Sequence, residues 1–458
     1  MFDIQIPSGA KYIIDELNKY GFEAYIVGGC VRDSLLGKTP NDWDITTSAT
    51  PYEVKDIFKR TVDTGIEHGT VTVLVDKCIA GKTDSVAGYA FEVTTYRVDG
   101  EYKDHRRPES VTFTASLEED LKRRDFTINA MAYNDTVGLV DIFGGREDLA
   151  NGIVRCVGNP AERFDEDALR ILRAVRFAAQ LGFDIEEDTK EAMRKQAIFL
   201  RDISAERIQV ELTKLITSKN PGMLVTAYEL GLTSVILPEF DLMMQTGQNN
   251  PHHIYCVGEH TIRVMENVPP DKVLRYAALL HDSGKPACKV TGEDGIDHFY
   301  GHPKVSADIA RKVLRRLKLD NNTIDSTCKL VLYHDYFLKE VSQAKAFRRF
   351  MSKLGKDNFN SYIAIRRADI AGQSDYDLER KLQSIEVLQS LYDEMIQNNQ
   401  CINLSELAIN GKDLMDLGMK PGRQMGEVLN YLLEIVLDEP DINNKEALTE
   451  LVIKKING

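Results

Sequence analysis

One short segment constrains this chain more than any other. Ala24-Tyr25-Ile26-Val27 is apolar and β-prone, and reads as a strand. Gly28-Gly29-Cys30-Val31-Arg32-Asp33 follows directly, and then Asp42-Trp43-Asp44. Glycines after a strand let the backbone approach phosphate closely, because no Cβ stands in the way. Asp42 and Asp44 are at i and i+2 of the next β-like run, Asp44-Ile45-Thr46-Thr47. A strand there points both carboxylates to one face. Two hard oxygen anions side by side suit Mg²⁺, which prefers carboxylates plus substrate phosphates. A Gly-Gly pair alone is usually a turn, and a lone Asp-x-Asp is usually solvated. In this order and after a strand, they read as a site for a nucleoside triphosphate and its activating metal.

The chain has 458 residues, too many for one ordinary core, so about three folded units are expected. Hydrophobic residues make up 43% and charged residues 28%, both globular values. No apolar run reaches the roughly 18 residues of a membrane helix. Residues 1–9 lack the basic start and apolar centre of a signal peptide. The seven cysteines are odd in number and contain no Cys-x-x-Cys pair. Reduced thiols, a cytoplasmic location and no membrane partner are the expectation. A net charge of −14 argues against non-specific coating of nucleic acid. It leaves room for a structured RNA held by local basic patches. Those are Arg106-Arg107, Lys122-Arg123-Arg124, residues 311–318, and Lys345 with Arg348-Arg349.

Residues 1–145 mix strands and helices. Thr50-Pro51-Tyr52-Glu53 reads as a capping box with proline at the first helical position. Residues 71–75 and 91–96 read as strands of a sheet under that helix. From Arg146 onward the pattern is helical almost to the end. Ala168, Leu169, Leu172, Val175, Arg176 and Ala179 follow helical spacing, and Gly182 stops that helix. Pro251 and Pro269-Pro270 mark breaks.

Further chemistry-bearing residues follow the first motif. Glu92 lies mid-strand in Phe91-Glu92-Val93-Thr94, where a charge facing the core would be costly. It is either on the solvated face or a third metal carboxylate. In Arg123-Arg124-Asp125-Phe126-Thr127-Ile128-Asn129-Ala130, arginines can neutralise triphosphate charge and Asn129 can donate to a phosphate or ribose oxygen. In Glu166-Asp167-Ala168-Leu169-Arg170, Asp167 and Arg170 are spaced to share a helix face. One reading is an intrahelical salt bridge. The other is base reading, because a carboxylate accepts from an exocyclic amine and a guanidinium donates to a ring nitrogen. Cytosine and adenine present an amine beside a ring acceptor, and guanine and uracil present a carbonyl beside a ring N–H. One Asp/Arg pair can then accept CTP and ATP and reject GTP and UTP.

With Glu206-Arg207-x-x-x-Glu211 added, these motifs in order resemble the class II tRNA nucleotidyltransferases, the CCA-adding enzymes and their poly(A) polymerase relatives. The match spans roughly residues 10–240. The resemblance implies an α+β chain: a nucleotidyltransferase, polymerase-beta-like α/β head over residues 1–145, then an all-α neck and body over 146–250. It implies untemplated addition of C, C and A to tRNA 3′ ends from CTP and ATP. Asp42 and Asp44 would hold two Mg²⁺, with Glu92 beside them. Gly28, Gly29 and Arg32 would hold the triphosphate. Arg124, Asp125 and Asn129 would contact the nucleotide. Glu166, Asp167 and Arg170 would be the amino-acid template, with Arg173 one turn on, and Glu211 would brace the neck. The polar run over residues 97–108 resembles the family's mobile loop, present in CCA- and A-adding members and missing from CC-adding ones. An A-adding enzyme or a poly(A) polymerase is the alternative.

A second cluster lies further on. Five of the nine histidines fall within residues 260–334. His260, the adjacent His281-Asp282 pair, His302, His334 and Asp369 resemble the ligands of the HD superfamily of metal-dependent phosphohydrolases. That likeness implies an α-helical HD domain over residues 251–375. Imidazoles with carboxylates suit a transition metal better than Mg²⁺. Lys285, just after the pair, could meet a phosphate. The domain is then a working phosphodiesterase or phosphatase, or else a structural RNA-binding module without hydrolase activity. A whole-chain HD hydrolase with a decayed head is disfavoured by the intact Asp42, Asp44 and Arg170. Residues 376–458 are helical and acidic, and resemble a tail that touches tRNA.

Overall fold

The segment Ala24–Val27 is buried at every position and becomes a central strand of a seven-stranded sheet. Met131–Asn134 lies antiparallel on one side of it, with Ile26 opposite Tyr133, and Gly138–Asp141 completes that edge. On the other side Ile45–Thr47 also pairs antiparallel, with Ile26 opposite Ile45. Ile45–Thr47 then runs parallel to Ala90–Thr95, with Ile45 beside Val93. Thr70–Leu74 and Thr61–Gly65 follow to the far edge. Ala90–Thr95 has the two-residue period of a half-buried strand: Phe91, Val93 and Thr95 are buried and Glu92 is exposed. Tyr25, Val27, Tyr96, Leu117, Leu121 and Ala132 form a core cluster of this head.

The computed structural model describes residues 4–76, 90–100, 102–103, 107–108, 111–336 and 343–457. The chain divides into two compact units, Met1–Pro238 and Glu239–Gly458. The first holds the sheet and the helices up to residue 238. Helix Pro51–Ile57 starts as its sequence dictates: Thr50 accepts from the Glu53 N–H, Glu53 reaches back, and Pro51 occupies the first position. Helix Leu169–Leu181 ends at Gly182, whose φ of 76° is a left-handed cap. Helix Ala205–Ile216 packs against it.

In the second unit, helices Val257–Asn267, Lys272–Leu280, His302–Arg316, Asn321–Tyr333 and Phe359–Ala371 pack together. A short antiparallel pair, Lys289–Thr291 with Asp297–Phe299, joins two of them. Arg348 is buried and donates to the carbonyls of Leu437 and Asp438, while Lys345 and Arg349 pair with the Asp438 carboxylate. These cations, read as a basic patch, instead tie Gln343–Leu354 to Arg423–Asp438.

Three expectations change in detail. Asp42 and Asp44 precede their strand, which begins at Ile45. Even so, the Val27 N–H donates to the Asp44 carbonyl at 3.0 Å, so Asp44 stands at the threshold of the ladder. Asp167 is not in the helix of Arg170. It caps Pro160–Glu166 with extended dihedrals, and its carboxylate accepts from the Leu169 N–H of the next helix. The polar run over 97–108 is tied at its start by Arg97–Asp99 pairing with Val111–Phe113. Residues 101 and 104–106 of that run lie outside the described residues, and with them Arg106 of the first basic patch.

Candidate active site

Gly28 turns the chain out of the central strand at φ 79° and ψ −125°, a region that side-chain-bearing residues rarely adopt. A Cβ there would lie 3.2 Å from the Arg124 guanidinium. Glycine therefore serves both the turn and the close approach of Arg124, which comes from a motif far along the chain. Arg124 and Arg123 are themselves anchored by Asp120, a fully buried carboxylate that also accepts from the Thr46 hydroxyl at 3.1 Å. Burial would raise Asp120, but the two guanidiniums hold it below its ordinary value. Asp120 was not singled out from the sequence. Its spacing of three and four residues before the arginines was the available signal.

Asp42, Asp44 and Glu92 gather at the mouth of the sheet. In the Ile45–Val93 register, Asp44 and Glu92 are the preceding residues of adjacent parallel strands. Asp44 is raised from its ordinary carboxylate value, first by burial in the surrounding wall and next by Glu92. Asp42 adds to the rise and Arg124 opposes it. The side chain of Asp44 is nonetheless open to solvent. An accessible carboxylate crowded by two others gains from a cation. Among the described residues, these three do not draw within 4.8 Å of one another as a ligand set.

A chain of polar contacts runs from Arg32 to Arg176. Arg32 donates to Asn129 Oδ1 at 2.7 Å, Asn129 donates to Asp125 Oδ1 at 3.2 Å, and Arg173 donates to Asp125 Oδ2 at 2.8 Å. Arg173 also lies 3.9 Å from Glu211, which accepts from Arg176 at 2.8 Å. Burial would raise Asp125, but Arg173 and Asn129 bring it to about 2. Phe177 is the unforeseen centre of this group. The guanidinium carbons of Arg32, Arg173 and Arg176 lie 5.2, 5.3 and 3.6 Å from its ring centroid.

The base-reading candidates are drawn in different directions. Arg170 pairs with Glu166 and donates to the carbonyls of Arg163 and Arg123. Asp167 Oδ2 accepts from Arg207 at 2.7 Å. Arg207 thereby fixes the position of the Asp167 carboxylate, whose oxygens accept hydrogen bonds.

In the second unit, His260, His281 and Asp369 form one buried triad of ligand atoms, and Asp282, His302 and His334 a second. Each histidine places Nδ1 on a backbone carbonyl: Gly372 for His260, Ala278 for His281, Phe299 for His302 and Val331 for His334. A carbonyl only accepts, so Nδ1 donates there and Nε2 is the atom each ring turns into its triad. The Nε2 atoms of His260 and His281 are 3.3 Å apart, as are those of His302 and His334. Two lone pairs facing at that distance repel unless a proton or cation lies between them. Asp282 spans both triads, with Oδ2 at 3.2 Å from His281 and Oδ1 at 3.3 Å from His302. Burial would raise Asp282 and Asp369, but His281 and Lys285 pull the first down and His260 the second. Lys285 meets Asp282 at 2.7 Å and Gln248 at 2.7 Å, so at present it faces a carboxylate and an amide.

Three family models match the chain. The poly(A) polymerase head domain covers residues 24–155, which defines the class of the head as a nucleotidyltransferase. The probable RNA- and SrmB-binding site of polymerase A covers 182–244, and the tRNA nucleotidyltransferase domain 2 (putative) covers 294–452. The CCA-adding enzyme of Ligilactobacillus salivarius is 37% identical over 96% of this chain and 94% of its own length. That of Pediococcus pentosaceus is 36% identical over 97% of each. The crystal structure of the Bacillus stearothermophilus CCA-adding enzyme with CTP matches with a TM-score of 0.69 at 30% identity, over 99% of this chain and 98% of that one. The chain belongs to the CCA-adding enzyme family.

Proposed function

We propose that this chain adds C, C and A to tRNA 3′ ends from CTP and ATP. The observation that carries this is the convergence of two distant motifs at one turn: Arg124 lies against Gly28 and its charge acts on Asp44. The relatives named for CCA addition, and the relative solved with CTP, support it. In this reading residues 1–145 are the head, 146–250 the neck and body, 251–375 a metal-binding domain and 376–458 the tail.

Asp42, Asp44 and Glu92 would hold two Mg²⁺, which when bound activate the RNA 3′ hydroxyl and steady the leaving pyrophosphate. The Gly28–Gly29 turn keeps side chains clear of the triphosphate. Arg32 and Arg124 supply positive charge there, each pre-oriented by a partner, so little side-chain entropy is lost on binding. Asn129 and Asp125 fix Arg32. Asp167, held in place by Arg207, accepts from the exocyclic amine of cytosine or adenine. Arg170, steadied by Glu166, donates to the neighbouring ring nitrogen. Guanine and uracil would set donor against donor at Arg170 and acceptor against acceptor at Asp167. Asp42→Ala and Asp44→Ala should each abolish incorporation on a tRNA transcript without loss of folding. Retained incorporation would overturn the assignment.

The paired triads favour a second reading beside the first. His260, His281 and Asp369, and Asp282, His302 and His334, would hold divalent transition metals, which when bound would support phosphoester hydrolysis. Metal analysis of the purified chain, followed by hydrolysis of bis-p-nitrophenyl phosphate by His281→Ala, tests it. Loss of metal and hydrolysis is expected. Full hydrolysis by the variant, or a wild-type chain that binds no metal, would sink this reading and leave the domain structural.

A further inference from the structure

The carboxylate of Asp120 is fully buried, and each of its oxygens serves two donors. Oδ1 accepts from Nε and Nη2 of Arg123 at 3.0 and 2.7 Å. Oδ2 accepts from Nη2 of Arg124 at 3.2 Å and from the Thr46 hydroxyl at 3.1 Å. A buried charge is costly unless it is paired and hydrogen-bonded, and these four donors meet that condition. They also tie together pieces of the chain that serve different ends. Thr46 lies two residues beyond Asp44, on the strand Ile45–Thr47. Arg124 lies against the Gly28 turn.

Arg123 reaches the base-reading residues through its backbone. Its carbonyl accepts from Arg170 Nη2 at 3.1 Å, and the Lys122 carbonyl accepts from Arg163 Nη1 at 3.2 Å. Arg163 and Arg170 both pair with Glu166, and Arg170 also donates to the Arg163 carbonyl at 3.0 Å. Two successive carbonyls at the end of helix Leu117–Lys122 therefore carry the two guanidiniums that bracket Asp167 in sequence. The Asp120–Arg123 pair, three residues apart, closes this same turn. A side chain buried in a close-packed interior cannot drift, so the place of Asp120 sets the place of the turn.

We propose that Asp120 is a positioning residue that couples base choice to chemistry: it holds the turn at Arg123 and Arg124 against the strand of Asp44, and so fixes both Arg170 and Arg124 relative to Asp42 and Asp44. The proposal rests on the nucleotidyltransferase reading for the roles of those arginines. Asp120→Asn keeps the shape, removes the charge and turns one acceptor oxygen into an N–H₂ donor that faces a guanidinium or the Thr46 hydroxyl. Steady-state incorporation by the full-length chain is measured on a tRNA transcript ending in the discriminator base, with CTP and with UTP. KM for CTP should rise about tenfold, the scale of one lost charge-assisted hydrogen bond. The preference for CTP over UTP in kcat/KM should fall by a similar factor. A merely structural role would lower the amount of active enzyme and leave KM and the preference where they were. Thr46→Val keeps the Asp120 charge and both arginine pairs and removes only the tie to the strand. It should give the same changes at about threefold, the scale of a neutral hydrogen bond, and it carries the test if Asp120→Asn does not fold. Arg124→Met should raise KM for CTP with the preference intact. Adding Asp120→Asn to it should then lower the preference while raising KM little further, because the two residues act on the triphosphate as one unit. Unchanged KM and preference in Asp120→Asn or Thr46→Val chains shown to be folded by Trp43 fluorescence, beside a wild type that adds C, would overturn the positioning role and leave the nucleotidyltransferase reading standing. A wild type that incorporates no nucleotide would overturn that reading, and this role with it.

Discussion

Replacing Arg173 by methionine tests the polar chain that organises the head. Asp125 is buried, and its carboxyl is held at about 2 against Arg173 although burial alone would raise it. Relative to an ordinary value near 4, that depression corresponds to about 2.5 kcal/mol of folding free energy at neutral pH. Without Arg173, burial wins and the Asp125 carboxyl rises above its unfolded value. The total loss should then reach about 3–4 kcal/mol, the range for an uncompensated buried charge. The sign with pH follows. The wild-type contribution is complete above the unfolded carboxyl value and is lost as pH falls through about 2. The gap between wild type and variant should therefore be full at pH 7 and shrink below about pH 4. The single tryptophan, Trp43, sits between Asp42 and Asp44, so its fluorescence follows urea unfolding of the head alone. An unchanged urea midpoint at pH 7, or a gap that widens on acidification, would refute the reasoning.

Other outcomes follow from the same geometry. Gly28→Ala should cost about 1–3 kcal/mol of head stability from its backbone conformation alone. It should also raise the KM for nucleotide by displacing Arg124, as steady-state kinetics will show. Arg207→Met should leave folding intact but lower the preference for CTP over UTP by about tenfold, the worth of one charge-assisted bond to Asp167. Comparing kcat/KM for the two nucleotides checks it, and Arg207→Lys should retain part of the preference. His281→Ala should lower bound metal and leave incorporation unchanged. A parallel loss of incorporation would mean the two sites are not independent.

Much of the head was legible because its chemistry is local in sequence. The strand 24–27, the Gly28 turn and the capping box at Thr50 each depend on residues within one or two turns of the chain. The stop at Gly182 has the same origin. What the sequence concealed depends on long-range approach. Phe177 reads as one more apolar position in a helix, and only folding surrounds it with three guanidiniums. Arg348 and Arg349 read as surface charge, yet their carbonyl and carboxylate partners lie about ninety positions away. Spacing suggested that Asp167 and Arg170 share a helix, but a break after Glu166 frees Asp167 to meet Arg207. The histidines of the second unit could be grouped from sequence. Their shared ring orientation could not, because it is set by backbone carbonyls.

In the proposed reading, Asp167 and Arg170 of the neck choose C, C and then A in order at the head's catalytic carboxylates. The most direct measurement is nucleotide incorporation on three tRNA transcripts, ending in the discriminator base, in C, or in CC, with CTP and ATP separately and together. Ordered addition of C, C and A that then stops is the expected result. Addition of A alone to the CC-ending transcript, or long A tails on any RNA, would contradict it.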